Sequence, residues 1–433
     1  MISPEGLFGE APAPAAVLAF SPFLTRAHGA RDRGSDATSR IALGAYLVAR
    51  LVDRRLTMSE DPDDLEGFQW QLASTRHFVS ELPSDEAEVA HQAGLVEIPG
   101  AGARSPGSVL RMALNAYAYF LEHEGRCEEA VEVLGLSGRT WHGVIPAAEG
   151  CRAALFLGRL NRMLGRWPEA ARAYTLAQDA ADLAGDIPSA MAARIGLGNV
   201  LRGQGDLLGA RKALEQVVTE TGAPGLRDIQ GRAFSDLSAV LGLQGFLLEA
   251  LLAKYAGLVR LEDGWQRARV LCELGVLLRE LGAYGAARLA FDMVLRSDAS
   301  FAVKSTATLE LMELESALGN RVAFERHRQE ARSVEGRMPP GLLIDCRYKT
   351  GIALVRFGQV ARARTALRAA LALAEQHGLH EWRARIAQVL HNLDTCRDAP
   401  DLGQDQDAVD APAVNQVAAG VHELAVADGP AWA

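Results

Sequence analysis

Lysine is nearly missing from this chain. Lys212, Lys254, Lys304 and Lys349 stand alone, leaving 41 of the 45 basic residues as arginine. A bias this strong, beside abundant Ala and Gly, reads as the codon usage of a G+C-rich bacterium. It lowers the weight that any single arginine can carry. Cysteine is also sparse. Cys127, Cys151, Cys272, Cys346 and Cys396 show no CxxC spacing. Free thiols in a reducing cytoplasm are the expectation. Long apolar runs are lacking. Ala15–Phe20 follows Glu5 and Glu10 without a preceding Lys or Arg, a poor leader. Ile41–Val52 is too short to span a bilayer before Arg54 and Arg55, so no membrane partner is expected. Net charge is −9, yet −7 of it lies in residues 398–433, leaving −2 for the rest. A near-neutral body predicts no nucleic-acid partner.

Signatures of catalysis are missing too. The glycine-rich stretch Gly203-Gln204-Gly205-Asp206-Leu207-Leu208-Gly209 follows no predicted strand and precedes no Lys-Ser/Thr, so it is no phosphate loop. No Gly-x-Ser-x-Gly elbow exists. Paired acids such as Glu128-Glu129 fall at helix starts, where they complement the helix dipole. His377-x2-His380, with Glu381, His391 and Cys396 downstream, has a spacing that zinc sites use. A polar surface turn around Gly378 is the plainer reading. The chain is expected to be no enzyme and to hold neither metal nor cofactor.

What is present is a repeat. Gly125, Gly165, Gly205, Gly245, Gly282, Gly319 and Gly358 follow one another at spacings of 40, 40, 40, 37, 37 and 39. Five residues after each lies Ala130, Ala170, Ala210, Ala250, Ala287, Phe324 or Ala363; seven before lies Ala118, Gly158, Gly198, Ser238, Gly275, Met312 or Gly351. A period of this size means stacked repeats. Apolar residues recur at helical spacing on both sides of Gly205: Leu197, Val200 and Leu201 before it, Ala210, Leu214, Val217 and Val218 after it. Gly suits the left-handed residue that ends a helix. Pro168 fits the first turn of the next. Small residues on both sides let the two helices approach. Each unit is therefore an antiparallel helix pair. The sixth copy, with Met312 and Phe324, should deviate in its packing.

These residues resemble the tetratricopeptide repeat. The second copy shows the motif as Leu157-Gly158, Gly165, Ala170, Tyr174 and Ala177; the third as Leu197-Gly198, Gly205, Ala210 and Leu214; the fifth as Leu274-Gly275, Gly282, Ala287 and Phe291. The period exceeds the family's usual 34 residues and is similar to the longer-helix version of bacterial regulators and peptide sensors. The resemblance implies an all-α, right-handed superhelical solenoid. It also implies that the first helix of each pair lines a concave groove, through positions 13, 10, 6, 3 and 2 before the turn Gly. On this chain those positions include Arg152, Arg159, Arg162, Asn199, Arg202, Arg232, Arg269 and Arg279, with Asn115 in the first copy, Gly203 in the third and Glu280 in the fifth. Seven arginines against Glu280, across copies two to five, imply a groove for an acidic peptide or protein segment. Local pairing or snorkelling of the arginines is the competing account. The Lys-and-Asn clamp of family members that bind chaperone C-termini is not reproduced.

Five segments are expected: a disordered stretch at 1–38; a helical cap at 39–98, which includes a degenerate repeat; a linker at 99–107; seven repeats and a closing helix at 108–397; and an acidic, disordered tail at 398–433. That tail is opposite in charge to the groove. It serves either as a competitor for the groove or as a solubilising extension. The leading functional expectation is a non-enzymatic cytoplasmic scaffold that binds a protein or peptide. The alternative is a sensing module that controls a separately encoded transcription regulator or kinase.

Overall fold

The computed structural model describes residues 20–32, 34–58, 61–100, 107–141, 145–395 and 411–427. The regular elements among them are α-helices, joined by short turns and two 3-10 turns. The chain divides into two compact units, Met1–Asp206 and Leu207–Ala433.

The N-terminal unit holds α1 (Ser21–Asp32), α2 (Asp36–Thr57), α3 (Pro62–Ser80), α4 (Ala87–Gly100), α5 (Gly107–His123), α6 (Cys127–Arg139), α7 (Ala147–Met163), α8 (Trp167–Ala184) and α9 (Ile187–Gly203). The C-terminal unit holds α10 (Leu207–Glu220), α11 (Arg227–Leu243), α12 (Leu247–Leu258), α13 (Gly264–Glu280), α14 (Tyr284–Arg296), α15 (Phe301–Ala317), α16 (Arg321–Ser333), α17 (Pro340–Arg356), α18 (Val360–Gln376), α19 (His380–Thr395) and α20 (Pro412–Ala427). The division falls in the turn of the third repeat, between α9 and α10.

The repeat is strict in its first half. The seven first helices, α5, α7, α9, α11, α13, α15 and α17, are each 17 residues long and end two residues before the repeat glycine. Every one of those glycines is left-handed, with φ between +70° and +88°. The following residue then donates its N–H to the carbonyl five back, as in Arg126 to Leu121 (2.8 Å), Ala283 to Leu278 (2.8 Å) and Gln359 to Leu354 (2.7 Å). This closure satisfies carbonyls that the helix end would leave unpaired. Length variation is confined to the second helices and the turns after them.

The small positions are notches. A Cβ on Gly158 would meet the Tyr174 ring at 2.9 Å, and one on Gly196 would stand 2.5 Å from Tyr174 Cδ1. Tyr174 of α8 is thus seated between α7 and α9. Gly351 receives Leu367 in the same way. Ser238 spends its hydroxyl on the Ala250 carbonyl of the paired helix, 2.7 Å away. In the sixth copy Met312 and Phe324 are both fully buried. They share one apolar cluster with Leu309, Ala331, Cys346 and Ala353, and the Phe324 ring reaches Phe357 with centroids 5.4 Å apart. Bulk at both small positions is absorbed by reaching onto α17.

Two segments differ from expectation. Residues 21–32 are helical despite their Pro-, Gly- and Ser-rich surroundings. Phe20, Phe23, Ala27 and Ala30 are buried at spacings of 3, 4 and 3, an apolar stripe that packs α1 on α2 and α6. A polar clamp adds to it: Arg26 donates to Glu88 (2.7 Å) and Glu129 (2.8 Å), Arg126 to Glu88 (2.6 Å) and Tyr117 to Glu88 (2.8 Å). Residues 412–427, within the expected disordered tail, form α20. Its Val414, Val417 and Val421 are buried, and it packs on α12 and α14. In both segments tertiary burial overrides a composition that disfavours isolated helices. The rest of the expected disordered stretches, 1–19, 33, 398–410 and 428–433, lies outside the described residues, as do 101–106 of the expected linker and 396–397 at the end of the expected closing helix.

Candidate functional site

In the N-terminal unit the first helices α5, α7 and α9 carry seven of the residues singled out by the glycine spacing. Arg159 is committed. Its Nη2 donates to Glu122 Oε2 of α5 at 2.8 Å, and its guanidinium lies 5.1 Å from the Phe156 ring centroid. Phe156 in turn stacks on Tyr119, with centroids 4.2 Å apart and planes 7° from parallel. The Glu122–Arg159 pair and the two rings therefore form one preassembled platform across α5 and α7. Arg152, Arg162 and Arg202 are different: the described residues place no ion-pair partner against them, and Arg162 Nε is buried with no acceptor. Asn199 is buried, 7% exposed. Asn115 accepts from Ser137 of α6 at 2.8 Å, so it is held within its own repeat. Met112 (69% exposed), Met163 (49%) and Tyr119 (44%) project from the same helices. Gly203 is covered rather than open, since a Cβ there would stand 2.5 Å from Trp167 Cζ3.

In the C-terminal unit the expected free arginines are paired. Arg232 meets Asp228 at 2.8 Å, Arg269 meets Glu273 at 3.2 Å and Arg279 meets Glu310 at 3.4 Å. The cluster continues through Lys349, whose amine lies 2.6 Å from Glu310 and 2.9 Å from Asp345. Arg356 meets Glu313 at 2.9 Å. Burial works against the Lys349 charge, but Glu310 and Asp345 outweigh it and hold its pKa well above the ordinary value. Burial likewise pushes the Asp345 carboxyl up, against the pull of Lys349. A basic face opposed by Glu280 alone does not exist here: this surface neutralises itself.

Residues 164–225 match the tetratricopeptide repeat family, and the helix pairs, left-handed turn glycines and notched small positions recur on both sides of that span. Over that span the chain is similar to the tetratricopeptide repeat. No curated protein matches the sequence. Among solved structures, a Rap protein complexed with competence and sporulation factor is 11% identical, with 82% of this chain and 97% of that chain covered and a TM-score of 0.45. The Cut9–Hcn1 hetero-tetramer of the APC/C is 12% identical, with 94% and 97% covered and a TM-score of 0.37. The assignment rests on the matched span and the repeat geometry.

The tetratricopeptide ruler missed one column. Nine residues before the turn glycine stand Ala116, Phe156, Gly196, Asp236, Glu273, Glu310 and Lys349. The position is uncharged in copies one to three and charged in copies four to seven. Glu273 and Glu310 close the pairs of Arg269 and Arg279, Lys349 bridges Glu310 and Asp345, and Lys254 of α12 also reaches Glu273 at 2.5 Å. In copies two and three the same column holds Phe156, part of the platform, and Gly196, the Tyr174 notch. The next repeat thus offers Arg162 only Gly196 at this position, and no carboxylate. The His377–His380 turn gathers no set of three metal-ligating side chains among the described residues; Cys396 lies outside them. No described helix is long and apolar enough to cross a membrane.

Proposed function

We propose that the protein is a non-enzymatic scaffold that binds a protein or peptide segment on the first-helix face of its N-terminal unit. The ligand carries carboxylates for Arg152, Arg162 and Arg202 and an apolar side chain for the Met112, Tyr119 and Met163 surface. The observation that carries this reading is the contrast between the units. Arg232, Arg269 and Arg279 of the C-terminal unit are spent on internal carboxylates, whereas Arg152, Arg162 and Arg202 of the N-terminal unit keep their donors. Guanidinium forks suit carboxylates, and a large apolar group beside them adds desolvated area. The Glu122–Arg159 pair holds the aromatic platform rather than the ligand. Tetratricopeptide repeats as protein-binding modules agree with this assignment. The four described cysteines are buried free thiols, which suits a reducing cytoplasm.

The test is an array of acidic, neutral and basic synthetic peptides probed with the full chain and with an Arg152→Ala/Arg162→Ala/Arg202→Ala variant. Partly exposed charge contacts contribute about 1 kcal/mol each. The triple variant should therefore lose roughly a hundredfold in affinity for acidic peptides. Arg232→Ala and Arg269→Ala should leave binding within about twofold, since surface changes away from a site have small effects. Equal capture by the triple variant, or no charge preference in the array, would sink the proposal.

A further inference from the structure

The helix α20 is the element of the C-terminal unit that the repeat does not explain. Val414, Val417, Val421 and Leu424 recur at spacings of 3, 4 and 3 along it; the valines are buried and Leu424 is half-buried. They join the apolar cluster of Leu251, Leu258 and Val294. The docking surface is α12 and α14, the second helices of the fourth and fifth repeats. It is therefore distinct from the first-helix face on which ligand binding is proposed above. The contact is closest at Gly420, where a Cβ would lie 2.5 Å from Tyr255 Cζ and nearer still to its hydroxyl oxygen. Only a residue without a side chain lets the backbone of α20 come down on that ring.

Three features make this helix a ligand rather than a buttress. It follows the previous repeat helix, α19, only through residues 396–410, which contain Asp398, Asp401, Asp405, Asp407 and Asp410. Its 16 residues include four valines and Gly420 and no Lys or Arg, so it is marginal as a free helix and holds its form by docking. Its far side, at Asn415, Gln416, Ala419, His422 and Glu423, is exposed, so it covers the unit without being covered in turn. A tethered segment of this kind fills its site through high effective concentration rather than tight contact.

We propose that the α12–α14 surface is a receptor for an apolar helix of the pattern Val-x2-Val-x2-Gly-Val, that α20 is its tethered occupant, and that a partner protein displaces α20 with a helix of the same pattern. The apolar stripe and the glycine register over Tyr255 define the partner's chemistry. Because the inward face of α20, Val414, Val417, Gly420, Val421 and Leu424, carries no charge, the surface selects by shape and not by ion pairs.

The experiment uses the full chain, two variants that evict α20 (Gly420→Val and Val417→Asp), and a fluorescent synthetic peptide of residues 411–427. By anisotropy, both variants should bind the peptide at least tenfold more tightly than the unaltered chain, whose site is filled in cis. A peptide carrying Gly420→Val should bind neither variant. The proposal is overturned if neither variant gains affinity for the peptide. It also falls if both variants lose the cooperative melt of the C-terminal unit, because α20 would then be a permanent part of the core. Light scattering supplies the last outcome: a dimer that forms in the unaltered chain and dissociates in the variants would make a second copy the occupant, against a separate partner.

Discussion

Replacing Lys349 with Met probes the self-neutralised surface of the C-terminal unit. Lys349 is 9% exposed and Glu310 8%, and the amine bridges Glu310 Oε1 (2.6 Å) and Asp345 Oδ2 (2.9 Å). Met retains most of the stem's packing, so the change isolates the charge. Removing one partner of a buried ion pair costs about 3–5 kcal/mol, because the other charge is left uncompensated. Arg279 stays 3.4 Å from Glu310, which places the expected value near the low end, about 3 kcal/mol. That corresponds to roughly a hundredfold in a local folding constant. Repeat arrays need not unfold in one step, so amide exchange of α15 and α17 is a better readout than a single melting temperature.

The pH dependence of that variant has a defined sign. Without Lys349, the Asp345 carboxyl loses the pull that opposes its burial, so its folded pKa rises further above the unfolded one. Stability is then fully present below the unfolded carboxylate pKa and lost as pH rises through the folded value. Lys349→Met should therefore cost less near pH 5 than near pH 8, and a second change, Glu310→Gln, should recover part of the loss at the higher pH. A cost below about 1 kcal/mol, the scale of an exposed pair, would refute the reasoning. So would a cost that is the same at both pH values.

Other expectations can be checked on the same preparations. Gly245 has φ +85°, so Gly245→Ala should destabilise by about 1–2 kcal/mol. Gly242→Ala, a helical position with open space around its Cβ, should be neutral or stabilising by roughly 0.5–1 kcal/mol; paired thermal melts decide. Gly196→Val should destabilise by about 1–3 kcal/mol through overpacking against Tyr174, read from the same melts and from Tyr174 side-chain resonances. Burial alone would push the Glu88 carboxyl up, but Arg126 and Arg26 hold it below the ordinary range. Its contribution is thus present above the unfolded carboxylate pKa and lost as pH falls through the lower folded value. Glu88→Gln should destabilise the chain at neutral pH and shrink the further loss seen on acidification; an undiminished acid loss would count against the assignment.

The repeat was legible because its punctuation is local. A left-handed turn selects glycine whatever surrounds it, so seven glycines mark seven helix ends without knowledge of packing. The −7 and +5 positions are nearly as local, since each reports the approach of two helices joined by one short turn. Charge on the first-helix faces is another matter. Whether Arg279 is free depends on Glu310, which belongs to the next repeat and is displaced from the positions that the ruler tracks. Whether Arg159 is free depends in the same way on Glu122 of the repeat before it. Both partners were in the sequence; what was lacking was the rule that an arginine must be compared with the adjoining repeats before its own is called basic.

The helices α1 and α20 fell to a different cause. Both were read by composition, and both carry a short apolar stripe that composition averages away: Phe20, Phe23, Ala27 and Ala30 in one, Val414, Val417, Val421 and Leu424 in the other. Neither stripe has enough propensity behind it to stand alone, so each is helical because something else in its unit offers a matching surface. For α1 that surface is locked by Arg26 on Glu88 and Glu129, a buried network whose loss would leave carboxylates stranded. Among the described residues no buried ion pair fastens α20; apolar contact and the Gly420–Tyr255 register do. A helix fastened by buried charge is difficult to exchange, whereas one fastened by three valines and a glycine can be replaced by any helix that presents them. This difference in fastening places exchange at the C-terminal docking surface and assigns α1 to the permanent core of its unit.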